Sequence, residues 1–299
     1  MATASLMTRV KAKVELHTSR RARGLIQGRG RSLFKGSGED FDDLKFYQPG
    51  DKISDIDWKA TARSGEPLIR QFNEERVRHL SIVADTSAAM AARAADGTAK
   101  RDAMVTAAGV ICTLASRSGD LVGMVAGSAG HPLQLPARSS DGHLELLLRT
   151  IQRSTGPASE APDSAWLLDR AFRVTPRSTM MTIITDEAHP APGDHALLRR
   201  LATRHDLVIV RIADADPLLG EDLDADVLDI TEPRDVSALA RSSTRVRRDV
   251  DAYRRARREE ISAMLDSLHL THLLTDGEDS VVEDMIAMLR RKEYRRATG

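Results

Sequence analysis

The chain has 299 residues, enough for one large domain or for a domain with a smaller accessory piece. Its 41% hydrophobic and 29% charged residues are those of an ordinary globular protein of net charge +0, and its single cysteine excludes both an intramolecular disulfide framework and a multi-cysteine zinc site. No apolar run approaches the roughly 18–20 residues that span a bilayer, and Met1–Val10 lacks the apolar core of a signal peptide, so a cytoplasmic protein is expected.

In chain order, residues 5–23 read as a basic helix. Gly24, Gly28, Gly30, Gly36 and Gly38 then mark a turn-rich joint. Residues 40–77 lack helical periodicity and are expected to form short strands and turns: Phe41–Tyr47, a turn at Pro49-Gly50-Asp51, and an extended Pro67–Phe72. From His79 the pattern becomes regular. Leu80–Ala84 is a buried strand ending in Asp85, and Met104, Ala108, Ile111 and Ala115, widened by Ala107 and Leu114, mark one helix face. Cys112 sits in that helix, where it reads as a small buried apolar residue. Leu121–Ala126 is a strand; Leu144, Leu147, Leu148 and Ile151 mark the next helix, and Ser164–Arg173 a short one. Met180–Thr185 is a strand ending in Asp186, followed by a helix near His195–Arg204 and a strand at Leu207–Ile212. Beyond lie a strand at Val227–Ile230, a long helix near Arg245–Leu268, a strand at His269–Thr275 and a helix from Glu278. Alternating strands and helices predict a doubly wound, mostly parallel sheet with helices on both faces, and ligands at the carboxyl ends of its strands.

Charge is spread unevenly. From Met1 to Lys35 nine Lys and Arg accompany one acid, Glu15; from Asp214 to Asp235 nine acids accompany one base, Arg234; and Arg245–Arg258 is basic again. Such blocks are ordinarily solvated faces and loops, and the sharper reading has them docking on each other or on charged partners. The basic stretches hold no interleaved aromatics for stacking, so nucleic acid is not the expected partner, although a basic N-terminal arm is the feature that would serve one.

Asp85-Thr86-Ser87-Ala88-Ala89 follows the first regular strand and resembles the Asp-x-Ser-x-Ser loop of the metal-ion-dependent adhesion site of von Willebrand factor A domains. That resemblance implies a hard divalent cation, usually magnesium, held by hydroxyl and carboxylate oxygens. By position Asp85 and Ser87 match its first loop and Asp186 its third. Ala89 replaces the second serine. No threonine matches the second loop, where Thr155, Asp163 and Ser164 are the available oxygens. The site is therefore expected to be degenerate, with no cofactor required; the alternative for Asp85 and Asp186 is capping of their own loops.

A second motif runs from Gly38-Glu39-Asp40-Phe41 through Tyr47-Gln48-Pro49-Gly50-Asp51 and Ile56-Asp57-Trp58 to Ala62-Arg63 and Glu75-Arg76. It resembles the signature of the domain-of-unknown-function 58 family, with Ser54 where arginine is usual. The resemblance implies a von Willebrand A-like α/β domain over residues 78–299, preceded by the signature segment 39–77 and by a basic helix and linker over 1–38. It also implies an interaction module, an adaptor or co-chaperone of a MoxR-type AAA+ ATPase acting on a client protein, and not an enzyme; its expected site is the carboxyl-end rim of the sheet, Asp85 to Met90 plus Asp186 to His189. Asp51, Asp55, Asp57, Arg63, Arg70 and Arg76 are numerous enough to form ion pairs around Trp58. A structural clasp with Trp58 buried is expected there, over a partner-recognition surface that would include Tyr47, Pro49, Gly50 and Glu75.

Other motifs fail on context. Asp186-Glu187-Ala188-His189 has no phosphate loop to accompany it, and neither a His-Glu-x-x-His helix nor a Gly-x-Ser-x-Gly elbow occurs. His189 and His195 near Asp186 read as exposed loop residues. The alternatives to an interaction module are a metal-dependent hydrolase using Asp85 and Asp186 and a nucleic-acid-associated protein using the N-terminal arm.

Overall fold

The structure, a computed structural model, describes residues 5–22, 41–48, 53, 56–72, 77–128, 130–176, 179–216 and 243–298. The glycine-rich joint, the Pro49-Gly50-Asp51 turn and the strand expected at Val227–Ile230 lie outside the described residues.

Six strands form the main sheet: β3 (His79–Asp85), β4 (Leu121–Gly127), β5 (Leu133–Arg138), β6 (Met180–Asp186), β7 (Asp206–Ile212) and β8 (Thr271–Thr275), in the order β5-β4-β3-β6-β7-β8. All neighbours are parallel except β4 and β5. The parallel strands are apolar runs because both faces are covered. On one face Ile82, Ala84, Met124, Ile184 and Val210 pack beneath α3 (Lys100–Ser118), α4 (Asp141–Ser154) and a C-terminal α8 (Val281–Thr298). On the other, Val83, Val125, Ile183 and Ile209 meet α5 (Ser164–Val174), α6 (His195–Ala202) and α7 (Thr244–Ser267). Strand β5 is absent from the sequence expectation. It is an edge strand of alternating half-exposed residues carrying Pro136, whose missing N–H only an edge tolerates, so neither an apolar run nor a clean polar alternation marks it.

Helix α1 (Leu6–Ala22) is docked, not a free arm. Leu6, Met7, Val10 and Val14 are buried in the core that includes α3, α4 and α8. Its bases meet acids of the domain: Lys11 lies 3.2 Å from Asp141, and Lys13 and Arg9 lie 2.6 Å and 3.9 Å from Glu278. Its first turn is capped from outside. Glu145 on α4 accepts hydrogen bonds from Ser5 Oγ (2.8 Å), Leu6 N (3.1 Å) and Met7 N (2.9 Å). The amides of Leu6 and Met7 are ones that a helix N-terminus otherwise leaves unpaired.

Docking of α1 explains why α3 is buried nearly all round rather than along the one expected stripe. The sheet covers one side and α1 the other. Gly109 allows the approach: a Cβ there would stand 2.7 Å from Val10 Cγ2. Cys112 is wholly buried in the same helix, and burial pushes its thiol up to about 12, which makes it inert.

Ahead of the main sheet, β1 (Phe41–Phe46) and β2 (Leu68–Phe72) pair antiparallel. Between them lies a helix that the sequence reading did not expect, α2 (Trp58–Ser64). It has no buried face to create periodicity, and its ends define it. Asp57 accepts from the amides of Lys59 and Ala60, both at 3.0 Å, and Gly65 closes it at φ 79°, a conformation that favours glycine.

Two predictions follow from α1. Gly109→Ala normally gains about 1 kcal/mol in a helix interior; here the clash with Val10 is expected to reverse the sign and cost about 1–3 kcal/mol in urea unfolding. For Glu145, burial alone would raise the carboxyl, but the amides and hydroxyl of α1 and the charge of Arg149 hold it below its ordinary 4.5. A depressed carboxylate contributes stability above that ordinary value and loses it as pH falls through the folded one. Amide exchange in α1 is therefore expected to accelerate first on acidification, and already at neutral pH in Glu145→Gln.

Candidate functional site

The chain runs from β3 to β4 on one side and returns to β6 on the other, so the carboxyl ends of β3 and β6 flank the switch point of the sheet. Asp85 and Asp186 end those strands, as their sequence context indicates. Both are buried, at 5% exposure each.

Asp85 is committed within the chain. One carboxylate oxygen accepts from Ser87 N (2.9 Å) and the other from Thr185 Oγ1 (3.0 Å). The loop turns into a short 3-10 helix at Ala88–Ala91, and Ala88 N donates to Glu160 O (2.9 Å). Residues 85–90 are all buried, so this loop is not the exposed rim that the motif suggests. Ser87 is fully buried and its hydroxyl makes no hydrogen bond.

Asp186 accepts from Ala188 N (3.1 Å) and faces a buried base, Lys100, at 4.0 Å. Lys100 opens α3, is 1% exposed, and bonds the carboxylate of Asp214, which lies just after β7. Burial pushes Asp186 up to about 6 and also raises Asp214, with Lys100 opposing both shifts. The next residue, Glu187, takes Arg254 Nε (3.1 Å) on one oxygen and Arg258 Nε (2.9 Å) and Asp214 N (3.1 Å) on the other. Arg254 also donates to Asp214 O (2.7 Å). Beside them Arg211 is 1% exposed and donates to Ser262 Oγ (2.7 Å), while its Nε and Nη1 make no bond. Burial lowers its pKa, with Glu187 opposing.

Sequence reasoning missed this network. Glu187 was visible only as part of the expected rim, Asp186 to His189, and of the rejected Asp-Glu-Ala-His string, without its arginine partners. Arg254 and Arg258 stand four apart in the basic block, which makes them neighbours on a helix face, but Glu187 lies outside the acidic block 214–235, so their docking onto it is not the block-to-block contact that the sequence suggests. Lys100 gives no signal: one lysine at a helix start is ordinarily exposed.

The second-loop oxygens are engaged elsewhere. Thr155 Oγ1 donates to Ile151 O (2.9 Å), and Asp163 caps α5 by accepting from Trp166 N (2.9 Å). Ser164 donates to Asp194 (2.5 Å) and meets His189 Nδ1 at 3.0 Å. With the serine proton given to the aspartate, His189 is the donor to Ser164 and not its base, the reverse of a nucleophilic triad. His195 is exposed.

A divalent cation does not fit the residues present. Lys100 brings a positive charge against Asp186 and Asp214, both oxygens of Asp85 are taken, and Ala89 is buried without an oxygen to give. Among the described residues no group of three or more His, Cys, Asp or Glu is arranged to hold a metal ion.

The signature segment departs from the expected clasp. Trp58 is 68% exposed, and Phe46 and Ile53 are exposed with it. Asp57 is buried as the cap of α2, and Arg63 is exposed. Tyr47 N donates to Pro67 O (2.9 Å), extending the β1–β2 pairing one step beyond Phe46 and Leu68 at the end where the connection through α2 begins. Arg70 lies on β2 with its side chain outside the described residues, as are Pro49, Gly50, Asp51, Asp55, Glu75 and Arg76.

The model of the family described as "Protein of unknown function DUF58" matches residues 43–260. Uncharacterized proteins of Mycobacterium bovis and Mycobacterium tuberculosis are 32% identical over 205 residues, 67% of this chain; the chain spans 63% of their length. Solved structures with a likeness to it include an aerotolerance-related membrane protein from Bacteroides fragilis (15% identity, TM-score 0.44, 72% of this chain and 99% of that one). Another is a von Willebrand factor type A protein from Catenulispora acidiphila (15% identity, TM-score 0.38, 74% and 43%). Among the described residues of the present chain no helix is long and apolar enough to cross a membrane.

Removing one member of a buried charge network leaves the others uncompensated. Glu187→Ala, which strands Arg254 and Arg258, is expected to cost about 3–5 kcal/mol in urea unfolding. A loss below about 1 kcal/mol would mean that solvent already satisfies those guanidiniums.

Proposed function

The chain belongs to the DUF58 family, and on that premise we propose that it is a non-enzymatic interaction module, an adaptor or co-chaperone for a MoxR-type AAA+ ATPase. It acts in the assembly or activation of a client complex, in the cytoplasm where its ATP-consuming partner works, and contributes no hydrolysis of its own.

The observation that carries this reading is the display of Trp58. Helix α2 buries none of its residues, yet it is capped at both ends and tied to β2 through Asp57 N to Leu68 O (2.8 Å) and Leu68 N to Thr61 Oγ1 (3.0 Å). A short helix held this firmly with a tryptophan 68% exposed has the form of a contact surface. Aromatic anchors commonly carry the largest share of binding energy at protein interfaces. The carboxyl-end rim supports the same reading from the other side. Its acids are bonded within the chain, and Ser164, His189 and Asp194 are bonded in an order unsuited to nucleophilic attack.

The test is capture of the ATPase from native lysate by the tagged full chain, with and without ATP. Recovery of a MoxR-type AAA+ ATPase is expected, and Trp58→Ala is expected to weaken it at least about tenfold while leaving stability within about 0.5 kcal/mol. Recovery of no AAA+ ATPase under either condition would sink the proposal; unchanged capture by Trp58→Ala would remove the surface from it.

A further inference from the structure

The acids at the carboxyl end of the sheet come from separate parts of the chain: Asp85 from β3, Asp186 from β6 and Asp214 from the residues after β7. They are close enough for Asp85 and Asp214 each to disfavour the charge on Asp186. Buried carboxylates so gathered need a cation among them. A divalent ion would need oxygens in direct contact with it, and while Lys100 occupies the carboxylates of Asp186 and Asp214 the loops have little else to offer. Asp85 has both oxygens bonded to the chain, Ala89 has none, and Thr155 is bonded back to its own helix. The buried Ser87 hydroxyl is left unbonded.

The chain supplies a cation of its own. Lys100 is fully enclosed at the start of α3, its ammonium bonded to Asp214 and 4.0 Å from Asp186. We infer that Lys100 is a tethered cation that takes the place of a divalent metal ion at this rim, so that the Asp85 and Asp186 loops hold their shape without metal. A lysine fixed by the backbone of α3 cannot be lost to a chelator or diluted away. It also brings one positive charge where a divalent ion brings two, and it leaves no open coordination position through which a partner's carboxylate could bind. The inference goes beyond the interaction proposed above and does not depend on it: a chain that captures no ATPase can still hold Lys100 in this role.

The test uses the purified full chain, unfolded thermally in chelator, in magnesium and in manganese, with calorimetric titration of both ions. For the wild type the unfolding midpoint is expected to agree across the three conditions to within about 2 °C, with no stoichiometric heat of binding. Lys100→Ala empties the cation position while keeping the carboxylates and the Ser87 hydroxyl. Its midpoint is expected to fall in chelator and to recover with magnesium or manganese. In case that variant does not fold, the pair Lys100→Met and Lys100→Met/Asp214→Asn gives a second measure, the double variant being expected to unfold at the higher temperature because one stranded carboxylate is gone. Stoichiometric binding of either ion by the wild type with a raised midpoint would overturn the inference. So would a Lys100→Ala that folds and gains nothing from metal, or a double variant less stable than Lys100→Met alone.

Discussion

The bond between Lys100 and Asp214 crosses the point on which the domain closes. Lys100 begins α3, which covers one face of the sheet, while Asp214 follows β7 and is tied through Arg254 to α7, which covers the other. Glu187, one residue past the end of β6, gathers Arg254 and Arg258 into the same assembly. The two helix layers are therefore joined around the end of the sheet by buried charge, as well as through it by apolar packing. Two unit charges 4 Å apart interact by about 4 kcal/mol at the effective dielectric of a protein, and the cost of stripping water from them is of similar size. Such a network adds little net stability. What it does is penalise any arrangement that separates its members.

That constraint bears on what the domain can do. A doubly wound sheet places its ligand site where strand order reverses, and here the position is filled by the protein's own acids and bases. The loop that follows β3 is enclosed, from Asp85 through Met90. The most exposed apolar surface among the described residues lies elsewhere, at Trp58, Phe46, Ile53 and the α7 residue Tyr253. The end of the sheet is thus closed by its own side chains, while these exposed aromatic and aliphatic groups sit on the small hairpin and helix beside it and on α7.

Helix α1 is likewise engaged within the chain. Its basic residues suggest a nucleic-acid arm, yet Lys11 and Lys13 are paired with Asp141 and Glu278, and its apolar side lies on α3. The Gly109–Val10 contact makes this specific: only a residue without a Cβ lets the two helices meet at that point. Ser5, Leu6 and Met7 are held by a carboxylate from α4, 138 to 140 positions along the chain. A cap of that kind has no local motif.

The parallel strands of the main sheet and the helices that cover them were legible in the sequence because each has a period or an apolar run that its burial requires, from Leu80–Ala84 to Leu207–Ile212. The family was legible too, since its signature is a string of particular residues. Strand β5 and helix α2 were not, because an edge strand and a helix with no buried face generate no pattern. Asp85 and Asp186 could be placed at the carboxyl ends of their strands from sequence alone, because each closes an apolar run; that those two strands are neighbours at the switch point is a matter of strand order. Nor was the neutralisation of the two acids legible there. Lys100 stands 86 positions before Asp186 and 114 before Asp214, and nothing local distinguishes it from a lysine on a solvated helix. Whether a charge is buried, and which charges face it, depends on what other segments bring, and so only the tertiary structure decided that this end of the sheet carries its own cation while Trp58 is turned outward.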